Sequence, residues 1–263
     1  MKRFLVIGNP IEHSLSPTLH NYWIKSNGID AIYEKKKLDE GELEQVILQI
    51  KKKKIDWVNV TVPFKKAIIP FLDELTVEAE NTQSVNTLYL KDTKVLGHNT
   101  DIFGFEISIK KSKYNLTDKK VLVLGAGGVV PSIIFALNKM KISKIKISNR
   151  TKDKAENLKT LFKNIEILEW GEVPNFDMII NATSLGLKKE DTINLDFSLI
   201  SKNGFFYDVI YNPRETNFLK IGKSLGCTTL NGKLMFIYQA LLAFNIWHKI
   251  EPNVDENVIK LLD

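Results

Sequence analysis

Val121-Leu122-Val123-Leu124-Gly125-Ala126-Gly127-Gly128 is an apolar run that breaks into glycines and leads straight into a helical pattern. Four consecutive apolar residues read as a buried strand, and the glycines as a tight turn opening a helix. In that context Gly125 permits the turn and Gly127 lets backbone approach a pyrophosphate, which the helix N-terminus meets with free N–H groups. The spacing departs from G-x-G-x-x-G at its sixth position, which is Val130, and Pro131 follows. An ordinary glycine turn in an α/β domain is the competing reading.

Downstream, strand and helix patterns keep alternating. Lys144–Ser148 reads as a strand, 151–162 as a helix, and Met178–Asn181 and Phe205–Asp208 as further strands. A dinucleotide site for NAD places an acid near the end of the second strand, on the ribose 2′-hydroxyl. Here that strand runs into Asn149-Arg150-Thr151, with Lys154 one turn on and no acid at the tip. Positive donors there suit a 2′-phosphate, hence NADP. Asp153 lies between them and weakens the field, and an exposed helix start would also carry such residues.

Upstream the alternation begins again. Phe4–Ile7 reads as a strand, and Ser16-Pro17 as the start of a helix to about Asn27, with Ser16 as N-cap and Gly28 as stop. Residues 32–37 resemble an edge strand, 42–50 a helix and Trp57–Val60 a buried strand. Pro63 starts a helix, and 85–90 with 94–96 form a hairpin. Near residues 101–118 the character changes. The fold expected is α/β with parallel sheets in two domains. Residues 1–101 with 232–263 form a substrate-binding domain, and 102–231 a Rossmann-like NADP-binding domain. The active cleft would lie between them, with the long helix of about 234–249 returning to the first domain and the two domains hinging.

Composition limits the alternatives. The chain has 263 residues, 44% hydrophobic and 26% charged, which fits one large or two modest globular domains. Its formal charge is +6, but only Arg3, Arg150 and Arg214 are arginines among 37 Lys and Arg. Nucleic-acid surfaces normally use several arginines, so the lysine runs 35–37 and 51–54 read as solvated faces and no nucleic-acid partner is expected. Cys227 is the one cysteine, so no internal disulfide forms. The N-terminus lacks a signal-peptide core, and the longest apolar stretch, 234–247, is too short for a bilayer; a cytoplasmic protein without membrane contact is expected. His13, His20, His98 and His248 have no metal-ligand spacing, so no metal is expected.

Two further segments could carry chemistry. Ser14 and Ser16 lie at a helix start, which suits a small carboxylate, although such serines also merely cap helices. Asn59-Val60-Thr61-Val62-Pro63-Phe64-Lys65 places Asn59 and Thr61 on one strand face and Lys65 near the strand's C-terminal end. Asp101 closes Gly97-His98-Asn99-Thr100-Asp101, and a lysine and an aspartate sharing a cleft could move a proton. Separately, they could be a surface lysine and a helix cap.

The ordered segments beginning at Gly8, Asn59, Val85, Asn99, Gly125, Asn149, Asn181 and Tyr211 together closely resemble the shikimate dehydrogenase family across essentially the whole chain. The resemblance implies reversible NADPH-dependent reduction of 3-dehydroshikimate to shikimate, with Lys65 as catalytic lysine and Asp101 as its partner. It implies that Ser14, Ser16 and Tyr211 hold the substrate carboxylate, that Thr61, Asn86 and Asp101 hold ring hydroxyls, with Asn59 nearby, and that Gln239 is a substrate-binding glutamine in the long returning helix. For NADP it implies Gly125, Ala126, Gly127, Gly128 and Val129 at the pyrophosphate and Asn149, Arg150, Thr151 and Lys154 at the 2′-phosphate. It further implies Val209 and Gly232 beside the nicotinamide, with Thr183 in the cofactor-side loop 181–186. The chain departs from the family in three places: Leu234 replaces a glycine, Val129-Val130-Pro131 replaces small residues, and Val77 replaces an acid. A quinate/shikimate enzyme using NAD, and a silent ligand-binding regulator, are the alternatives. A homodimer is compatible with everything in the sequence.

Overall fold

The computed structural model describes residues 1–201 and 203–262. The chain divides into two compact units, Met1–Gly104 with Ile237–Asp263, and Phe105–Phe236. Among the described residues no helix is long and apolar enough to cross a membrane.

In the first unit the chain forms β1 (Lys2–Gly8), α1 (Ser16–Ser26), β2 (Ala31–Lys37), α2 (Leu43–Lys51), β3 (Trp57–Val60), α3 (Phe64–Ala67), β4 (Glu74–Leu75), α4 (Val77–Thr82), β5 (Thr87–Lys91) and β6 (Lys94–His98). Their sheet order is β2-β1-β3-β5-β6-β4, so β2 is indeed an edge. The sheet is mixed rather than parallel: β1 runs parallel to β2 and β3, while β5 is antiparallel to both β3 and β6. The cause is local. Only Asp92 and Thr93 separate β5 from β6, with Asp92 at φ 58°, and so short a connection can join only antiparallel strands. The core on one face gathers Leu5, Ile7, Val46, Ile50, Val58 and Val85.

The start of α1 differs from expectation. Leu15 occupies the N-cap position and Ser16 is the first helical residue, with no side-chain cap. Ser14 Oγ accepts from the Ser16 N–H at 3.3 Å, a local bond two residues back.

The second unit continues from α5 (Asp101–Ser112), inside which the unit boundary falls, through β7 (Lys120–Leu124), α6 (Val130–Lys139), β8 (Lys144–Ser148), α7 (Lys152–Leu158), β9 (Ile165–Leu168), β10 (Met178–Asn181), β11 (Phe205–Asp208), α8 (Asn217–Ser224) and β12 (Thr228–Leu230). α9 (Lys233–His248) holds the other boundary, and α10 (Glu256–Lys260) follows. All strands here pair parallel, in the order β12-β11-β10-β7-β8-β9. Counted from β7, that is the 3-2-1-4-5-6 order of a dinucleotide-binding sheet, with its switch point between β7 and β10. β10 and β11 are buried at every residue, as central parallel strands require. α7 ends at Leu158, short of Phe162, because the chain tightens into turns in which Thr160 and Leu161 N–H groups reach carbonyls three residues back.

Candidate active site

Phe64 and Ile68, four residues apart, are both buried in the first unit's core. That leaves Lys65 on another face of α3, where its Nζ pairs with Asp101 Oδ2. The side chains are only 12% and 7% exposed. The Lys65 carbonyl accepts from Val85 N–H at 2.8 Å, which ties the lysine's turn to the segment entering β5. Asp101 opens α5, where a carboxylate is favoured by the helix dipole, and its own N–H donates to Asn99 Oδ1 at 3.0 Å.

Asn86 completes the arrangement. Its Oδ1 accepts from the Thr100 N–H at 2.8 Å. A backbone N–H can only donate, so the amide's NH2 must point the other way, to Asp101 Oδ1 at 3.0 Å and Gln239 Oε1 at 3.4 Å. Both Asp101 oxygens are therefore held, one by a cation and one by an amide. Lys65, Asn86, Asp101 and Gln239, expected from sequence, are brought together.

Asn59 stands behind this group. Its Oδ1 accepts from Tyr33 Oη at 2.6 Å, and its Nδ2 donates to the Asn86 carbonyl at 3.0 Å and Thr87 Oγ1 at 3.1 Å. Burial pushes the Tyr33 phenol well above its usual range, while a hydrogen bond with Ser16 pulls the other way. β3 ends at Val60, so Thr61 lies one residue beyond the strand, its N–H on the Ile7 carbonyl at 2.9 Å. Sequence reasoning missed Tyr33, Thr87, Asn99 and Thr100. The signal was present for Thr87, which follows Asn86 in the segment from Val85, and for Asn99 and Thr100, which precede Asp101.

In the second unit, β7 delivers Gly125 at φ 113°, a backbone conformation that side chains rarely adopt. A Cβ there would also stand 2.8 Å from the Ala182 carbonyl. Gly127 is the opposite case: a Cβ would meet nothing within 4 Å. The open space before α6 is a cradle that a side chain would fill, and it lies at the β7 end of the switch point, where dinucleotide phosphates bind. Val130 is fully buried at the start of α6, so the helix accommodates the larger residue. Pro131 falls in the first helical turn, where its missing N–H costs nothing. Val129 is the N-cap residue.

At the tip of β8, Asn149 Nδ2 donates to the Thr151 carbonyl at 2.7 Å, and Thr151 is the N-cap of α7. Arg150 and Lys154 are exposed, and among the described residues neither is in an ion pair; Lys152 is paired with Glu169. Positive donors stand here without internal partners, as a 2′-phosphate requires. Thr183 follows β10, its Oγ1 on Asn181 Oδ1 at 2.7 Å. Val209 N–H donates to the Asn181 carbonyl at 3.0 Å. A Cβ on Gly232 would collide with the Val209 carbonyl, so the backbone approach there requires glycine. The residues present thus fit a dinucleotide carrying a 2′-phosphate. Tyr211 belongs to this unit and stacks on Phe236 at 4.4 Å. Val77, which stands where the family often has an acid, is exposed at the start of α4.

Sequence reasoning also missed Asp208, a carboxylate with no exposed surface at the end of β11. Burial lifts its pKa to about 6, against hydrogen bonds from Thr216, Ile210 N–H and Asn181 that favour the charged form. An acid directly after the apolar run Phe205-Phe206-Tyr207, at a strand's C-terminal end, was the available clue.

Comparison with known proteins accords with this geometry. Residues 6–88 match the shikimate dehydrogenase substrate binding domain, and residues 107–215 match the shikimate / quinate 5-dehydrogenase family. The chain is 63% identical over 262 residues to shikimate dehydrogenase (NADP(+)) of Pelagibacter ubique, covering 100% of this chain and 99% of that protein. Among solved structures, shikimate dehydrogenase of Aquifex aeolicus superposes with a TM-score of 0.89 at 36% identity, over 100% of this chain and 97% of that one. Shikimate 5-dehydrogenase of Thermus thermophilus, solved with NADP(H) and shikimate, gives 0.90 at 30% identity, over 100% and 98%.

Proposed function

The chain belongs to the shikimate dehydrogenase family, and from that membership we propose that Lys65 and Asp101 are its proton-transfer pair. The activity is NADP-dependent oxidation and reduction at a CH–OH group, interconverting shikimate and 3-dehydroshikimate within aromatic amino-acid biosynthesis. When bound, NADP supplies the hydride acceptor or donor through its nicotinamide. Everything else falls to the protein: orienting the substrate and moving one proton.

In the oxidative direction a hydroxyl becomes a carbonyl, and its proton must leave. Lys65 Nζ, as the neutral amine, receives that proton, and in the reductive direction the ammonium returns it to the nascent alkoxide. Asp101 holds the lysine through Oδ2, and Asn86 fixes the carboxylate through Oδ1. The observation carrying this assignment is that clamp, which sets the lysine's position before any substrate arrives. Thr61, Asn86, Asp101 and Gln239 take the ring hydroxyls, and Ser14 and Ser16 the carboxylate. Asn59, whose amide is bonded to Tyr33, the Asn86 carbonyl and Thr87, supports Asn86 from behind. Gly125, Ala126, Gly127, Gly128 and Val129 cradle the pyrophosphate, and Asn149, Arg150, Thr151 and Lys154 the 2′-phosphate. Thr183, Val209 and Gly232 border the nicotinamide side.

Lys65→Met tests the pair. General acid–base catalysis contributes ~10²–10⁴-fold, so kcat should fall by about that factor while shikimate affinity changes only a few-fold. Near-full turnover with normal binding would remove Lys65 from the mechanism. The reading further places the protein in the cytoplasm with a small-molecule substrate and neither nucleic-acid nor membrane partner. Sedimentation at working concentration separates monomer from homodimer.

A further inference from the structure

The mechanism leaves unused the most buried carboxylate of the second unit. Asp208 ends β11 directly opposite Asn181, which ends the neighbouring β10. Asn181 Nδ2 donates to both Asp208 oxygens at 3.1 Å. Ile210 N–H donates to Oδ1 at 2.9 Å, and Thr216 Oγ1 to Oδ2 at 2.6 Å. One carboxylate thereby joins the end of β10, the loop after β11 and the N-cap residue of α8.

The consequences reach the switch point. With its NH2 committed to Asp208 and to the Leu185 carbonyl at 2.9 Å, Asn181 must turn its Oδ1 toward Thr183. There it accepts from both the Thr183 N–H at 3.1 Å and the Thr183 hydroxyl at 2.7 Å. The Thr183 hydroxyl in turn accepts from Leu185 N–H at 3.0 Å. The methyl of Thr183 would stand 3.2 Å from a Cβ on Gly125, so this loop lies directly against the dinucleotide turn. Val209, bonded to the Asn181 carbonyl, is the residue next to Asp208.

We infer that Asp208 is a positioning residue for the cofactor: its carboxylate sets the Asn181 amide, and through it the Thr183 loop and Val209, in the geometry that receives NADP. The inference rests on the reading of Gly125–Val129, Thr183 and Val209 as cofactor-facing. It assigns Asp208 no contact with substrate and no part in proton transfer. An amide could not replace it, because Asn at 208 would present an NH2 group where Asn181, Thr216 and the Ile210 N–H already supply donors.

The test is Asp208→Asn, with NADP+ and shikimate dissociation constants measured separately by equilibrium titration and kcat and KM by steady-state kinetics. Expected are a rise in NADP+ Kd of at least ten-fold, with shikimate Kd within two-fold of wild type. An unchanged NADP+ Kd, or equal weakening of both ligands, would overturn the proposal. Should Asp208→Asn not fold, Thr216→Val removes one donor to the carboxylate and Thr216→Ser keeps it. The valine variant should weaken NADP+ several-fold and the serine variant should restore it; equal affinity in the two variants would count against the proposal. Gly127→Val separates this inference from the reading beneath it. If Gly127→Val binds NADP+ like wild type, the assignment of the glycine turn fails. If it loses NADP+ while Asp208→Asn binds normally, only the role of Asp208 fails.

Discussion

Tyr33 donates to Asn59 Oδ1 from the edge strand β2, across β1, to β3. Tyr33→Phe would leave that buried oxygen without its donor, a loss of about 1–3 kcal/mol. Urea unfolding should show a lower midpoint at unchanged slope, and a midpoint within error of wild type would contradict the assignment. At the other ligand, Arg150→Ala should raise KM for NADP+ by about ten-fold while leaving NAD+ nearly unaffected, because a charge-assisted phosphate bond is worth ~1.5–3 kcal/mol. Equal changes for both cofactors would place the 2′-phosphate elsewhere. Residues such as Lys65, Asp101, Gly125 and Arg150, proposed above for the site, were legible as candidates because each sits inside a local motif whose residue type the proposed chemistry demands. Tyr33 and Asp208 were not. Tyr33 meets Asn59 from 26 residues away, and Asp208 meets Asn181 from 27, so their partners exist only once the sheets are paired.

At the scale of elements, α1 and α9 carry two histidines into an aromatic core. His20 stacks on Tyr33 at 4.3 Å, and its Nε2 has no partner among the described residues. Burial holds its pKa down to about 3, with His248 adding to the effect, and burial likewise lowers His248 to about 4. A base whose folded pKa is depressed must gain a proton on unfolding in acid. Its contribution is fully present above pH 6.5 and is lost as pH falls toward 3. For His20 the loss is on the order of 3 kcal/mol by pH 4. Asp208 works in the opposite sense: its folded pKa is raised to about 6, so its protonation favours the fold as pH drops from 6 toward 3.8. His20→Phe should therefore flatten the acid limb of a plot of unfolding free energy against pH, and an unchanged limb would refute the assignment.

The main strands and helices were legible from buried runs and glycine turns. α8 was not, because Gly222 interrupts it and reads as a breaker. In the fold that glycine is where the helix meets β11, since a Cβ would collide with Phe206. β4 spans two residues, too short for any period to register.

For the whole molecule, the shift in character near residue 101 and the return of the chain in a long late helix could be read in advance. The antiparallel seating of β5 against β3 could not, because it pairs strands that the turn between β5 and β6 does not join. In the second unit, the strand order turns a short glycine motif into a located crevice, at the ends of β7 and β10. The excess positive charge is carried mainly by lysines, with the runs at 35–37 and 51–54 largely exposed. The central claim is that Lys65, clamped by Asp101, moves the proton in an NADP-dependent reaction of shikimate. Its most direct test is the initial rate of nicotinamide reduction with shikimate and with quinate, each with NADP+ and with NAD+, for wild type and Lys65→Ala together. The account predicts strong activity for wild type with shikimate and NADP+ alone, falling by about 10²–10⁴-fold in Lys65→Ala. A Lys65→Ala rate equal to wild type, or wild-type rates as high with NAD+ as with NADP+, would contradict it.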